Sequence, residues 1–471
     1  MDLIAKLTWN HRANWLAMII LTAFSALVTI TVLQQGVADV EFVKAGGSSM
    51  APLAYFGAGV TLLVVMLVVK SIAALCLEGQ SRDLAVLRTC GASPRQTRRL
   101  LYGEVALVTA AGVTIGVILS LFFTNLYINF FYHTVDGSNI TTFGNRFLPI
   151  ASGYVFIIAV VLFGARKTIK KVSLQNIVDA MHGEQTRSKK SPVATITIAV
   201  LLLLVVGGIW LYSTFFTGTV KTLSMSEAFD AATAGPGLVF AAGIGTMAAL
   251  VALGPILFRA ILSALTALKP KRAPASLDVG LGLARLNSGK FPGSITPIIV
   301  FTSLCVLFVG GLETIKPGMS ALYEAYGQAA PEFNPEAYGQ ALFMFGPALS
   351  IAVIAALCTI VMSGSGRQFV NRLSGVIGAK TRTVLMQNIV EILAYTTVAA
   401  LCSALVMVVT SGVGSALFSR LTQLPIAPVF PWHVLGSGLL VGVAMMSIPV
   451  VISLIRSRRI ASKVILQTFD T

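Results

Sequence analysis

Two stretches of this sequence combine residue types and spacings that do more than fill space. Arg82 to Glu104 reads RDLAVLRTCGASPRQTRRLLYGE and packs five arginines into 23 residues between long apolar runs. A weaker copy, RQFVNRLSGVIGAKTRTVLMQNIVE, runs from Arg367 to Glu391. The first is written as helix, corner, helix. Leu84, Leu87 and Val86 are expected on one side of a short helix, and Gly91 ends it as a C′ glycine. Ser93 opens a second helix with Pro94 at its first position and Gln96 three residues beyond the cap, a capping box. That helix continues into an apolar span. The chemistry available to such a corner is docking and force transfer: apolar anchors, a charged rim and a stiff turn.

Covalent chemistry finds less support. A metalloprotease helix needs His-Glu-x-x-His, and the four histidines, His11, His133, His182 and His433, are isolated. Phosphate binding needs Gly-x-x-x-x-Gly-Lys-Ser/Thr; the nearest match, ARLNSGKF from Ala284 to Phe291, lacks the first glycine and the hydroxyl residue. No catalytic residue, metal site or cofactor is expected in this chain. Glu104 and Glu391 fall just inside apolar spans, where a charge is costly. They are candidate intramembrane polar sites, either for an ion or proton or for a cross-helix contact near the interface.

The elements that position these stretches are membrane helices. The chain has 471 residues, 56% hydrophobic and 11% charged, against about 25% charged in soluble domains. Ten apolar runs are long enough to span, at 14–34, 53–77, 103–130, 149–165, 192–213, 236–262, 291–313, 342–363, 390–417 and 432–456. Of the 34 lysines and arginines, only Lys44, Arg146, Lys221, Lys316 and Arg420 fall on one side. The positive-inside rule therefore puts both termini in the cytoplasm, and it accounts for the net charge of +16 without nucleic acid. None of the five cysteines falls in an outer loop, so no external disulfide framework is expected. The outer loops are short and mildly acidic. The longest, near Thr314 to Ala341, holds Glu324, Glu332 and Glu336 among aromatics, which fits a solvated loop or a small lid or partner contact.

The chain also repeats. A shift of 287 sets Gly91-Ala92 on Gly378-Ala379, Arg95 on Arg382 and Glu104 on Glu391. Lys171-Val172 matches Lys463-Val464 at 292, and Ala5-Lys6-Leu7 matches Ala284-Arg285-Leu286 at 279. The expected architecture is all-α: two parallel four-helix units, 1–180 and 278–471, with two linking helices in 181–277. Small residues at Ala110, Gly112 and Gly116, set on Thr397, Ala399 and Ser403, suggest close helix packing between the units, or simply the abundance of small residues in membrane helices.

On these residues the chain resembles the FtsX/MacB-type ABC transporter permeases, in a ten-span duplicated form. Asp83, Leu84, Leu87, Arg88, Gly91, Ala92, Ser93 and Glu104 fit that family's signature, and KVSLQ and KVILQ resemble its tail after the fourth span. The second copy departs: Leu87 and Arg88 align with Ser374 and Gly375. Large extracellular domains common in the family have no room here. The resemblance implies an ATPase-coupling site at Arg82, Asp83, Leu84, Leu87, Arg88, Gly91, Ala92 and Ser93, with Gly378, Ala379 and Arg382 in the second corner. It implies two copies of a separate ABC ATPase, which bind ATP and magnesium and do the hydrolysis. The expected role is a multi-pass permease subunit in a bacterial cytoplasmic membrane, exporting or extracting an amphipathic peptide, lipid or drug. The alternative is a mechanotransmission subunit that signals ATPase state to a small extracellular partner.

Overall fold

In the computed structural model the described residues are 12–44, 51–136, 147–174, 193–216, 225–267, 277–282, 284, 292–328, 345–359, 362 and 381–448. Their regular structure is helical. We number the helices α1 (Arg12–Lys44), α2 (Ala51–Gly79), α3 (Ser81–Thr89), α4 (Pro94–Asp136), α5 (Phe147–Leu174) and α6 (Val193–Leu211), which ends in a π-turn at Tyr212–Phe216. They continue as α7 (Met225–Ala267), α8 (Pro292–Ala325), α9 (Phe345–Thr359), α10 (Thr381–Thr422) and α11 (Trp432–Ile448).

Eight of these helices are long and apolar enough to cross a membrane. The eighth and tenth runs of the sequence are helical as α9 and α11, which are shorter than a full span within the described residues. Large side chains such as Phe122, Leu126, Phe163 and Leu204 point outward, as helices in hydrocarbon require. A helix pairs most of its backbone groups within itself, the condition for lying in lipid; Pro297 and Pro317 inside α8 each remove one such bond.

The first half packs as α1 against α4, with α2 and α5 alongside; the second packs α8 against α10, with α7 in contact with both. The α1–α4 crossing depends on glycine. A Cβ at Gly112 would collide with the Thr22 hydroxyl, and one at Gly116 with the Ala23 carbonyl oxygen. The small stripe of α4 thus faces α1, its neighbour in the same half. The expectation of a contact between halves is corrected here: without bulky side chains on α4, its backbone approaches the nearest helix in the chain.

In the second half the α8–α10 contact is made in part by hydroxyls. Ser403 Oγ lies 2.7 Å from Thr302 Oγ1 and 3.2 Å from Ser303 Oγ. Ser403 is Gly116 shifted by 287, and Thr302 is Ala23 shifted by 279. Thr124 and Ser411, again 287 apart, each meet a hydroxyl on the neighbouring helix: Thr31 at 2.9 Å and Thr314 at 3.4 Å. Between halves, α2 packs on α8, and the Cys358 thiol of α9 donates to the Ala17 carbonyl of α1 at 3.3 Å. Four rings lock this seam. Phe345 sits 5.0 Å from Phe240 and 5.5 Å from Phe308 between centroids, and Phe56 lies 6.2 Å from Phe240. They come from α9, α7, α8 and α2.

Candidate coupling site

Only Gln80 separates α2 from α3, and only residues 90–93 separate α3 from α4. Each backbone amide from Cys90 to Ser93 has an acceptor. The Ala92 amide donates to the Leu87 carbonyl at 3.2 Å and the Gly91 amide to the Arg88 carbonyl at 3.1 Å, the paired bonds of a Schellman motif. Gly91 has φ +96°, a left-handed conformation in which a Cβ would be strained. One residue on, the capping box is made: the Ser93 amide donates to Gln96 Oε1 at 2.9 Å, and the Gln96 amide to Ser93 Oγ at 3.3 Å. Thr97 Oγ1 adds a bond to the Ser93 carbonyl at 3.1 Å. Two helix ends that ordinarily leave groups to water are therefore closed within four residues. The corner is stiff.

The faces of α3 differ from the sequence expectation. Leu84 is 2% exposed and Ala85 equally buried, both turned into the chain, with Leu87 half-buried against the same core. Val86 is 48% exposed and points outward. At 100° per residue Val86 lies 200° from Leu84, so the two cannot share a face. Leu84 holds α3 onto the protein, and the large apolar side chain left exposed on α3 is that of Val86. On the same helix and corner, Arg88 is half-buried and Thr89, Cys90, Arg95 and Arg99 are exposed. Arg82 and Asp83 stand in the first turn of α3, and Ala92 and Ser93 in the junction.

A contact that spacing did not disclose lies beneath the corner. Gln80, 2% exposed, donates through Nε2 to Glu104 Oε1 at 3.1 Å; Glu104 is 1% exposed. Of the two readings of this acid, the bond fits a cross-helix contact: it ties the end of α2 to the shaft of α4. The N-cap position of α3 makes no side-chain cap, because the Gln80 amide is engaged below. No periodic pattern links an amide to an acid 24 residues away. In sequence Gln80 stands among Glu78, Ser81, Arg82 and Asp83, so nothing marked it as the buried member of that polar run.

In the second half Glu391 is also buried and accepts from Tyr395 Oη, one turn along its own helix, at 3.0 Å. Arg382 is exposed at the start of α10. Gly378 and Ala379, with the rest of the second corner, lie outside the described residues, as do residues 285–291 of the phosphate-loop near-match. Among the described residues no three His, Cys, Asp or Glu side chains converge as metal ligands, and His433 Nε2 lies 3.5 Å from Glu313 Oε1.

Residues 55–176 match the family model described as FtsX-like permease C-terminal. The matched stretch takes in most of α2, the corner, α4 and α5. No curated protein matches the chain.

Proposed function

Residues 55–176 being an FtsX-like permease domain of the FtsX/MacB type, we propose that the chain is the membrane permease subunit of an ABC transporter. It takes its energy from a separate ATPase that binds ATP and magnesium. The observation that carries this reading is the closed corner at Gly91–Gln96, inside the matched domain and continuous with a membrane helix. Val86 on α3 and the exposed arginines of the corner, Arg95 and Arg99, form the docking face. Movement of the ATPase against α3 passes through the corner into α4 without a loose joint.

The two crossings that the sequence shifts superimpose, Gly116 on Ala23 and Ser403 on Thr302, support a pseudo-dimer with two corners, and so two ATPase copies per chain. The distribution of lysine and arginine supports both termini inside, and the FtsX-like match supports a bacterial cytoplasmic membrane. Export or extraction of an amphipathic molecule is favoured over signalling alone by an apolar groove of about 990 Å³ between the halves.

The test is reconstitution. The purified chain in lipid nanodiscs should bind a Walker-motif ABC ATPase at two per chain and raise its turnover, further so when substrate is added. A chain that binds no such ATPase would sink the reading. Binding without substrate stimulation would turn it toward mechanotransmission.

A further inference from the structure

We propose that the inner ends of α2 and α5 form a binding site for one anionic phospholipid of the cytoplasmic leaflet, its phosphate held between Lys70 and Lys167. Lys70 lies inside an apolar run, VVKSIAALCL, and by sequence alone is a stray charge in a span. The fold gives it company. α2 packs against α5, and Lys70 meets α5 at Gly164: a Cβ there would stand 3.0 Å from both Cβ and Cγ of Lys70. Glycine thus leaves room for the lysine stem to lie on the neighbouring helix. Three residues on, Lys167 carries a second ammonium whose charge bears on that of Lys70.

Two like charges set side by side call for an anion, and these helices supply none at that level. α5 has no acidic residue, and the acid of α2, Glu78, lies two turns beyond Lys70, about 12 Å along the helix. Among the described residues neither Lys70 nor Lys167 has an ion-pair partner. Arg166 and Lys170 are exposed on the same stretch of α5 and add to the positive field.

Depth identifies the occupant. The apolar part of α5 ends at Ala165 and Arg166 opens its cationic end, which marks the inner edge of the hydrocarbon. α2 and α5 both run toward the basic side, so Lys70, level with Gly164, sits at that same edge. Beyond it α2 continues about 14 Å to Gly79. An ammonium at this depth reaches the phosphates of lipid headgroups. One turn toward the midplane on the same faces, Met66 and Phe163 are 46% and 69% exposed, which gives the acyl chains of that lipid an apolar surface. The headgroup has to be net negative, because choline or ethanolamine would bring a third cation to the pair. α2 passes into α3 through Gln80 alone, so the bound lipid fixes the height of the corner above the membrane.

The experiment uses the whole chain, purified in detergent and titrated with dioleoyl phosphatidylglycerol or dioleoyl phosphatidylcholine, with bound lipids counted by native mass spectrometry. One phosphatidylglycerol should bind ahead of the rest and more tightly than any phosphatidylcholine. A lysine near an anionic lipid is worth about fivefold in affinity. Lys70→Gln and Lys167→Gln should therefore each weaken the first site about fivefold, and together about 25-fold. Both lysines are exposed, so glutamine should leave the fold intact. Arg259→Gln, which removes an exposed cation of α7, should leave the first site unchanged. Lys70→Arg should keep binding, and Gly164→Ala, which keeps every charge but displaces the Lys70 stem, should weaken it. Equal binding of the two lipids, or losses in the lysine variants no greater than in Arg259→Gln, would overturn the proposal. So would displacement of the lipid by millimolar inorganic phosphate, which would make this a site for the free anion.

Discussion

Replacing Val86 and Leu84 in turn separates docking from anchoring. Val86 is 48% exposed, so about half of its side chain remains for a partner to cover. Full burial of a valine is worth about 1.5–3 kcal/mol, which leaves roughly 0.7–1.4 kcal/mol for that half. Val86→Ala should therefore weaken ATPase binding about three- to tenfold, and Val86→Asp more, since a carboxylate would be desolvated at the contact. Leu84 is already inside the chain. Leu84→Ala should cost about 2–5 kcal/mol of local packing, seen as faster amide exchange across Ser81–Thr89. Binding to nanodisc-held protein by interferometry, beside hydrogen exchange on the free protein, measures both. Only the first corner is altered, so the Val86 variants should show two classes of site, one of them unchanged. The reasoning fails if both Val86 variants bind as the parent does while Leu84→Ala loses affinity with α3 amides still protected. The docking face would then be the one buried here.

Other expectations follow from the same geometry. Ser93→Ala removes one half of the capping box and should lower corner stability by about 1 kcal/mol, read as exchange at the Gln96 and Thr97 amides. Gly91→Ala forces a Cβ into a left-handed conformation at about 1–2 kcal/mol, and should reduce coupling of ATP turnover to transport more than it reduces ATPase binding. Gln80→Leu leaves the Glu104 carboxylate without this donor; the single change should cost about 1–3 kcal/mol, and with Glu104→Leu it should give clearly non-additive thermal shifts. Gly116→Leu should push α4 off α1 and lower the melting temperature of the purified protein, whereas Gly59→Leu, at a position with open space, should not.

The corner was readable because its determinants are local. A glycine at C′, a serine three residues before a glutamine and a proline at the first helical position each act within one turn, so their order in the chain decides the structure. Eight of the ten expected spans are matched by helices long and apolar enough to cross, because hydropathy over such a length is a local property of the sequence. What was hidden depends on neighbours that spacing does not name. The small face of α4 could be seen in Gly112 and Gly116, but that it meets α1 is settled by packing. The Gln80–Glu104 bond joins two helices whose relative rotation no period encodes. Val86 could have been set apart from Leu84 by helix geometry; grouping the apolar letters by proximity in sequence misplaced it.

α4 runs from Pro94 to Asp136 as one helix of 43 residues. At 1.5 Å per residue that is about 64 Å, twice the thickness of the hydrocarbon it crosses. One end is the capped corner at Ser93–Gln96, and the far portion, Phe123 to Phe130, lines the apolar groove. A shaft without a joint has no slack, so in the proposed permease movement of the corner and movement of the groove wall are a single event rather than two events in sequence. Cycle intermediates trapped in mid-turnover should fall into two populations, corner displaced with groove closed and corner at rest with groove open, with no mixed state between them.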